Sequence, residues 1–257
     1  MTNITTRLAA LREQAPASIL PGVLERAGLT DHFVTRSSPL GAVFVAFTPR
    51  GISLVDLAPA PEEFAARYRA RFGRSALPVA EPPNRLAAAL EKALAEGKTG
   101  RLPLDLASLS PFQEAVLRKA AEIPRGEVRP YSWVADEIGH PGSERAVGNA
   151  LAANPVPLVV PCHRVVRADG RLGRYSLGAD ENKRLLLEAE GLEVAVHESL
   201  AARGVRYLGS ATTGIYCHPT CRHARRITGA HRVEFPGAGA AAAAGYRPCR
   251  DCRPKAA

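Results

Sequence analysis

The sequence predicts a mixed α/β (α+β) chain made of a small sheet-and-helix unit, a helix-turn-helix unit and a short cysteine-bearing tail. Three observations carry this: β-rich runs confined to residues 32–57, apolar residues at helical spacing through much of 61–191, and four of the five cysteines lying after residue 216. At 257 residues the chain holds one large domain or two to three small ones. With 46% hydrophobic and 23% charged residues it has a globular composition, which excludes a disordered chain. No apolar run approaches the roughly 18 to 20 residues a membrane span needs, so no membrane partner is expected. The opening MTNITTRLAALREQ carries Glu13 and has no continuous apolar segment, and a cytoplasmic location is the expectation.

Residues 1–31 hold two short helical patterns, TRLAALREQ and LPGVLERAG, expected as a helical extension. HFVTRSS and GAVFVAFTPRGISLVDL follow as strands, broken at Pro39-Leu40-Gly41 and Pro49-Arg50-Gly51 into a meander. PEEFAARYRARFG and NRLAAALEKALAEG are amphipathic helices and complete a unit over 32–104. A second unit, 105–195, begins with SPFQEAVLRKAAEIP, where Ser110 caps, Pro111 takes the first helical position, and Phe112, Val116 and Ile123 run down one face. SWVADEIG and SERAVGNALAAN, joined through His140, Pro141 and Gly142, have helix-turn-helix spacing. PVPLVVPCHRVVRADGRLG is expected as an apolar strand, a turn and a hairpin wing, with ENKRLLLEAEG as a closing helix; the unit is a winged-helix module. Residues 196–210 are expected as a linker to a tail unit over 211–257, in which PGAGAAAAAGY forms a short Ala helix ended by Gly245.

Net charge is +9, and residues 199–257 supply most of it, with 10 basic against 2 acidic side chains. Only five of the 34 basic residues are lysines, and guanidinium forks suit phosphate oxygens. A nucleic-acid partner and a merely well-solvated basic surface are both consistent with that balance. Cys217 and Cys221, then Cys249 and Cys252, form C-x3-C and C-x2-C pairs separated by a loop, the spacing of a tetrahedral Zn2+ site; reactive metal-free thiols are the alternative.

Cys162 stands apart, in PCHRV. A thiol beside an imidazole can be a nucleophile with its base. Adjacent residues of a strand face opposite ways, so a tight turn or a bridging water is needed. By itself the pair more often describes a buried cysteine next to a satisfied histidine.

The surrounding stretches IPRGEVRPY (123–131), RAVGNALAANPVPLVVPCHRV (145–165), GRYSLG (173–178) and LLLEAEG (185–191) together resemble the O6-alkylguanine-DNA alkyltransferases. The resemblance is strong over 107–192 and looser over 32–104, where the SPLG turn and meander are similar to the family's RNase H-like N-terminal domain. It implies direct, single-turnover repair: an alkyl group on guanine O6 moves to Cys162. His163 takes the thiol proton through a water, and Glu190 orients the imidazole, with Glu188 a nearby rival. Asn154 holds the Cys-His turn. Arg145 is the finger that fills the hole left by the extruded base, and Tyr131 pushes the phosphate. The Val165 carbonyl contacts the exocyclic amine, and Tyr175 and Ser176 belong to the loop over the guanine, where a donor to O6 is placed. Leu177 stands where many relatives have Gly, which narrows the pocket. The implied partner is double-stranded alkylated DNA, bound without sequence preference through the minor groove by a monomer, with no organic cofactor.

The tail stretches TTGIYCHPTC (212–221) and GYRPCRDC (245–252) are similar to the metal-binding domain of Ada, in reversed domain order. That implies Zn2+ on Cys217, Cys221, Cys249 and Cys252. It also implies either a methyl acceptor at Cys217 for DNA methylphosphotriesters or a structural zinc module, with Arg247 contacting phosphate. A lesion sensor or a non-reacting lesion binder are the rival functions, and the presence of Cys162 argues against the binder.

Overall fold

The computed structural model describes Val23 and residues 27–255; the expected N-terminal helices lie largely outside the described residues. The meander expected from 32–57 forms as β1 (Thr30–Ser38), β2 (Gly41–Thr48) and β3 (Gly51–Asp56), antiparallel and joined by two-residue turns. A fourth strand, β4 (Ser75–Pro78), pairs parallel with β1 and gives the order β3-β2-β1-β4. Between them α1 (Pro61–Phe72) starts with Pro61 and two glutamates, ends with Arg69 and Arg71, and stops at Gly73, whose φ of 68° only glycine adopts freely. The period-2 alternation splits the sheet: Phe33, Phe44 and Leu54 pack on Phe64 and Tyr68 of α1, and Val34, Val43 and Val45 face the main core.

That main core joins the sheet to α2 (Asn84–Glu96) and to the central helices. Here α3 (Pro111–Ala121) opens with the expected cap, a reciprocal box between Ser110 and Gln113. Next come α4 (Tyr131–Glu137), a turn through His140 to Gly142, and α5 (Glu144–Ala152). Val116, Val134, Val147 and Leu151 close on one another.

The apolar strand expected at 155–160 does not form. Pro155 and Pro157 remove two ladder donors, Leu158 takes φ 69°, and a single Pro157–Val160 bridge remains. The hairpin wing is also absent as a strand pair: β6 (Val165–Val166) pairs in parallel with β5 (Arg129–Pro130), and the following turn closes by Arg167 N–H donating to the Arg171 carbonyl at 2.9 Å. Then comes α6 (Asp180–Ala189).

Residues 196–210 are not a plain linker. They contribute most of α7 (Val194–Ala202) and all of β7 (Tyr207–Ser210), an inner strand of the second sheet. Its order is β10-β8-β7-β9, with β8 (Ile215–Cys217), β9 (Arg232–Phe235) and β10 (Arg247–Pro248). The Ala-rich stretch forms α8 (Ala238–Ala243), and Gly245 follows with φ 80°. No helix among the described residues is long and apolar enough to cross a membrane.

Candidate active site and metal centre

Cys162 and His163 sit in one 3-10 turn, Cys162–Arg164, which supplies the tight geometry that a strand would deny them. The turn hangs from the loop 153–161, which is clamped from β3, from α1 and from the segment after α2. Val55 N–H donates to the Pro155 carbonyl (2.8 Å), Thr99 Oγ1 to Val159 (2.5 Å), and Arg71 to Ala153 (2.9 Å). Asn154 lies two residues beyond the end of α5 and brackets the loop from inside. Its Nδ2 donates to the Val160 carbonyl (3.2 Å), and its Oδ1 accepts from Val156 N–H (3.0 Å).

Cys162 is buried, 6% exposed, with Ser176 Oγ 4.0 Å from Sγ. Burial pushes its thiol above the ordinary value, and Asn154, the Lys183 charge and Ser176 offset part of that rise. His163 is 2% exposed and held below its ordinary value by burial, against the pull of Glu190. Its Nε2 lies 2.9 Å from Glu190 Oε1, while Nδ1 is buried with no hydrogen-bond partner. Burial alone would raise the Glu190 carboxyl, but hydrogen bonds from His163 and Arg164 overcome it and hold the group at about 2. An ionised Glu190 can only accept, so Nε2 carries the proton and Nδ1 is a bare acceptor. Glu188, the sequence rival, points outward to Arg184 at 3.7 Å.

Two residues of this site escaped the sequence reasoning. Arg164, 2% exposed, donates Nε and Nη2 to Glu190 (2.6–3.1 Å), Nη1 to the Ile123 carbonyl (2.7 Å) and Nη2 to the Gly97 carbonyl (2.6 Å). Gly126 N–H completes the Glu190 shell at 3.1 Å. Lys183, 1% exposed, donates Nζ to the Val165 carbonyl at 2.6 Å, and burial lowers its ammonium to about 8. The carbonyl expected to contact the guanine amine is thus already engaged, with its second lone pair left for another donor. A signal existed: Lys183, Leu186, Leu187 and Glu190 fall at i, i+3, i+4 and i+7, so Lys183 lies on the buried face.

The other predicted residues lie at different depths. The Tyr175 ring meets His163 edge-on at 6.1 Å, and its buried hydroxyl has no hydrogen-bond partner. Burial raises that phenol well above its ordinary value. Ser176 is exposed and Leu177 buried; their loop is pinned by Asp180, which accepts from Tyr175 N–H, and by Asn182, which donates to the Leu177 carbonyl. Tyr131 is half-buried at the start of α4, and Arg145 is exposed in the first turn of α5.

In the tail, Cys217, Cys221, Cys249 and Cys252 are all buried and their sulfurs lie within 4.8 Å of one another. Zn–S bonds of about 2.3 Å in a tetrahedron place sulfurs about 3.8 Å apart, so the donor set fits Zn2+. Hydrogen bonds among the neighbouring thiols pull the Cys221 thiol below its ordinary value. A cleft of about 600 Å³ beside it is lined by Cys217, Arg226, Arg247 and Arg250.

The tail and central units interlock at Glu127–Arg129. Thr220 Oγ1 accepts from Val128 N–H (2.9 Å), Arg222 N–H donates to Glu127 (3.0 Å), and Arg129 pairs with Glu127 at 2.5 Å. Arg129 and Arg253 both lie against the Trp133 ring, at 5.8 and 5.7 Å.

A buried cysteine in one turn with a His163–Glu190 pair, together with a cluster of four thiols, makes a candidate thiol-nucleophile site with an attached candidate metal-binding unit. The model of the 6-O-methylguanine DNA methyltransferase DNA-binding domain matches residues 111–192, and that of the metal-binding domain of Ada matches 193–255. The solved structure of Mycobacterium tuberculosis OGT in complex with DNA is 30% identical, covering 65% of this chain and 99% of that one, with a TM-score of 0.51. Mycobacterium tuberculosis O6-methylguanine methyltransferase is 32% identical over 62% and 92% of the two chains, also at 0.51. The methylated-DNA–protein-cysteine methyltransferase of Mycobacterium bovis is 49% identical over 79 residues, 31% of this chain and 47% of that protein. The rat protein of that description is 40% identical over 100 residues, 38% and 46%. The chain spans about half the length of these curated relatives. It belongs to the O6-methylguanine-DNA methyltransferase family and carries an Ada-type metal-binding unit.

Proposed function

We propose that the protein repairs double-stranded DNA by moving an alkyl group, typically methyl, from guanine O6 to Cys162, once per molecule. The observation that carries this reading is the arrangement itself: the buried Cys162 thiol shares a turn with His163, whose Nε2 lies 2.9 Å from Glu190 and whose buried Nδ1 has no hydrogen-bond partner among the described residues. His163 takes the Cys162 proton through one water, and Glu190 stabilises the imidazolium. The thiolate attacks the alkyl carbon opposite O6; the S–C bond forms as the C–O6 bond breaks, and the electron pair leaves on guanine. The unpartnered Tyr175 hydroxyl, with Ser176, is the donor to the leaving oxygen. No step regenerates the thiol, so turnover is single.

A stacked base cannot reach a sulfur this buried, so the guanine must leave the helix. Tyr131 displaces its phosphate and Arg145 fills the gap. In this reading α4 and α5 form the helix-turn-helix that enters the minor groove of any sequence. The first sheet is an RNase H-like buttress for the loop that carries Cys162, and the protein acts as a cytoplasmic monomer. The relative solved with DNA supports the partner.

Zn2+ in the tail would keep all four sulfurs as thiolates at neutral pH. The basic cleft at Cys217 favours a second reaction, in which its sulfur takes methyl from a DNA methylphosphotriester, breaking CH3–O and leaving the diester anion. Arg247, at the cleft edge, contacts the phosphate.

Peptide mass spectrometry after incubation with an O6-methylguanine duplex tests the main reading. A one-methyl gain on the Cys162 peptide is expected, and Cys162→Ala binds the duplex without gaining methyl. Repair by that variant overturns the assignment. A methylphosphotriester duplex tests Cys217 in the same way.

A further inference from the structure

A second cleft, of about 260 Å³, opens where the central unit meets the tail. Ser132 of α4, Arg167 after β6, His197 of α7, Arg206, His218 and Lys255 line it, and none of its described lining residues is acidic. His197 and His218 are each more than nine-tenths buried, yet among the described residues neither ring nitrogen of His197 nor Nε2 of His218 has a hydrogen-bond partner. A buried imidazole left without a partner is costly, so two such rings on one cleft call for a hydrogen-bonding group between them.

The cations around them are weakly engaged. Arg167 is 3.3 Å from Asp169, Lys255 is 3.7 Å from Asp136, and both basic side chains are exposed. Arg206 spends Nη1 on the neutral Ala201 and Val205 carbonyls, which leaves its charge unbalanced. A water would satisfy the imidazoles but not the Arg206 charge. A tetrahedral anion offers acceptors in several directions and carries the charge.

The location decides among anions. Ser132 and Pro130 flank Tyr131, and both the Arg167 stem and the Tyr131 hydroxyl approach Gly173. The cleft therefore lies beside Tyr131, which the reading above sets against the DNA backbone, and beside the turn that follows β6. We infer that it holds a phosphate of the DNA backbone, so that the central and tail units grip one strand beside the damaged base. This rests on the DNA-repair reading above.

Lys255→Gln and Arg167→Gln, singly and together, test it by fluorescence anisotropy on an undamaged duplex across a salt series. Each replacement lowers affinity on every sequence, and because both cations face one phosphate the double variant reduces the slope of log K against log salt by about 0.9, with each single variant between it and the wild type. Alkylation of Cys162 by a free O6-alkylguanine base stays at the wild-type rate in both. Unchanged slopes overturn the inference. In a second arm, inorganic phosphate is titrated into the wild type while the histidine ring proton signals are followed. Signals that move with phosphate and return when duplex is added support the backbone contact. Signals that move and are not displaced by duplex assign the cleft to free phosphate and overturn the shared grip. A wild type that alkylates with neither duplex nor free base, but keeps the slope differences, removes the repair reading and leaves the phosphate contact.

Discussion

Glu190 is the residue on which the relay turns, and Glu190→Gln isolates its charge at nearly constant shape. The carboxylate is 8% exposed on its side chain and sits between Arg164 and His163, with a pKa of about 2 against an ordinary 4.5. That difference corresponds to about 3 kcal/mol of folding stability. Because the folded value is depressed, the contribution is complete above about pH 4.5 and is lost as pH falls toward about 2. Urea unfolding of wild type and variant, measured from pH 7 downward, is expected to show a gap that is constant to about pH 4.5 and then narrows by up to about 3 kcal/mol. In the variant the amide also leaves the buried Arg164 guanidinium without its counter-ion, a loss of about 3–5 kcal/mol for a broken buried pair. Quenched-flow alkylation of Cys162 is expected to slow about 100-fold, since the imidazolium loses its stabilising charge. A stability gap that does not change between pH 7 and pH 3, or an unchanged alkylation rate, refutes the charge argument.

Two further outcomes follow from the geometry. Asn154→Ala removes both bonds that bracket the Cys162 loop and should cost about 2–4 kcal/mol in urea unfolding; a cost under 0.5 kcal/mol would show that the loop is held by the clamps from β3, α1 and the segment after α2 alone. Chelating the tail metal should lower the melting temperature and turn Cys217, Cys221, Cys249 and Cys252 from protected to reactive toward a thiol reagent, whereas four thiols that react freely before chelation would contradict a metal-bound cluster.

The elements with local signals were legible in the sequence: the capped α3, the Pro-led α1, the meander and the cysteine pairs. What was not legible depends on distant partners. β4 is four residues long and exists through its pairing with β1. The stretch 155–160 has strand-like side chains, but its two prolines and the clamps from Val55, Thr99 and Asn154 decide its path. Residues 196–210 carry no turn-rich linker composition, and the expectation of a connection rested on their position between two motifs. At the site, Cys162, His163 and Glu190 were found through motif spacing. Arg164 and Lys183 have side chains that usually face water, and their importance comes from burial against carbonyls 41, 67 and 18 residues away in the chain.

The segment Arg125–Arg129 explains how one chain can carry two thiol centres without either being an appendage. Toward one side Arg125 donates to the Ala189 carbonyl and Gly126 N–H donates to Glu190, so this segment helps fix the carboxylate behind His163. A Cβ on Gly126 would lie 3.0 Å from the Glu190 carbonyl oxygen, and its φ of 71° is strained for any L side chain, which explains glycine there. Toward the other side Glu127 and Val128 bond Arg222 and Thr220, the two neighbours of Cys221. Five residues therefore span the distance from the metal cluster to the relay by direct hydrogen bonds. Glu127 is buried, so its charge must be paired, and Arg129 at 2.5 Å satisfies that requirement while its other bond goes to the Val128 carbonyl. The buried ion pair sits where an apolar contact would have left the Arg222 amide without an acceptor, and its directionality sets the register between the two units.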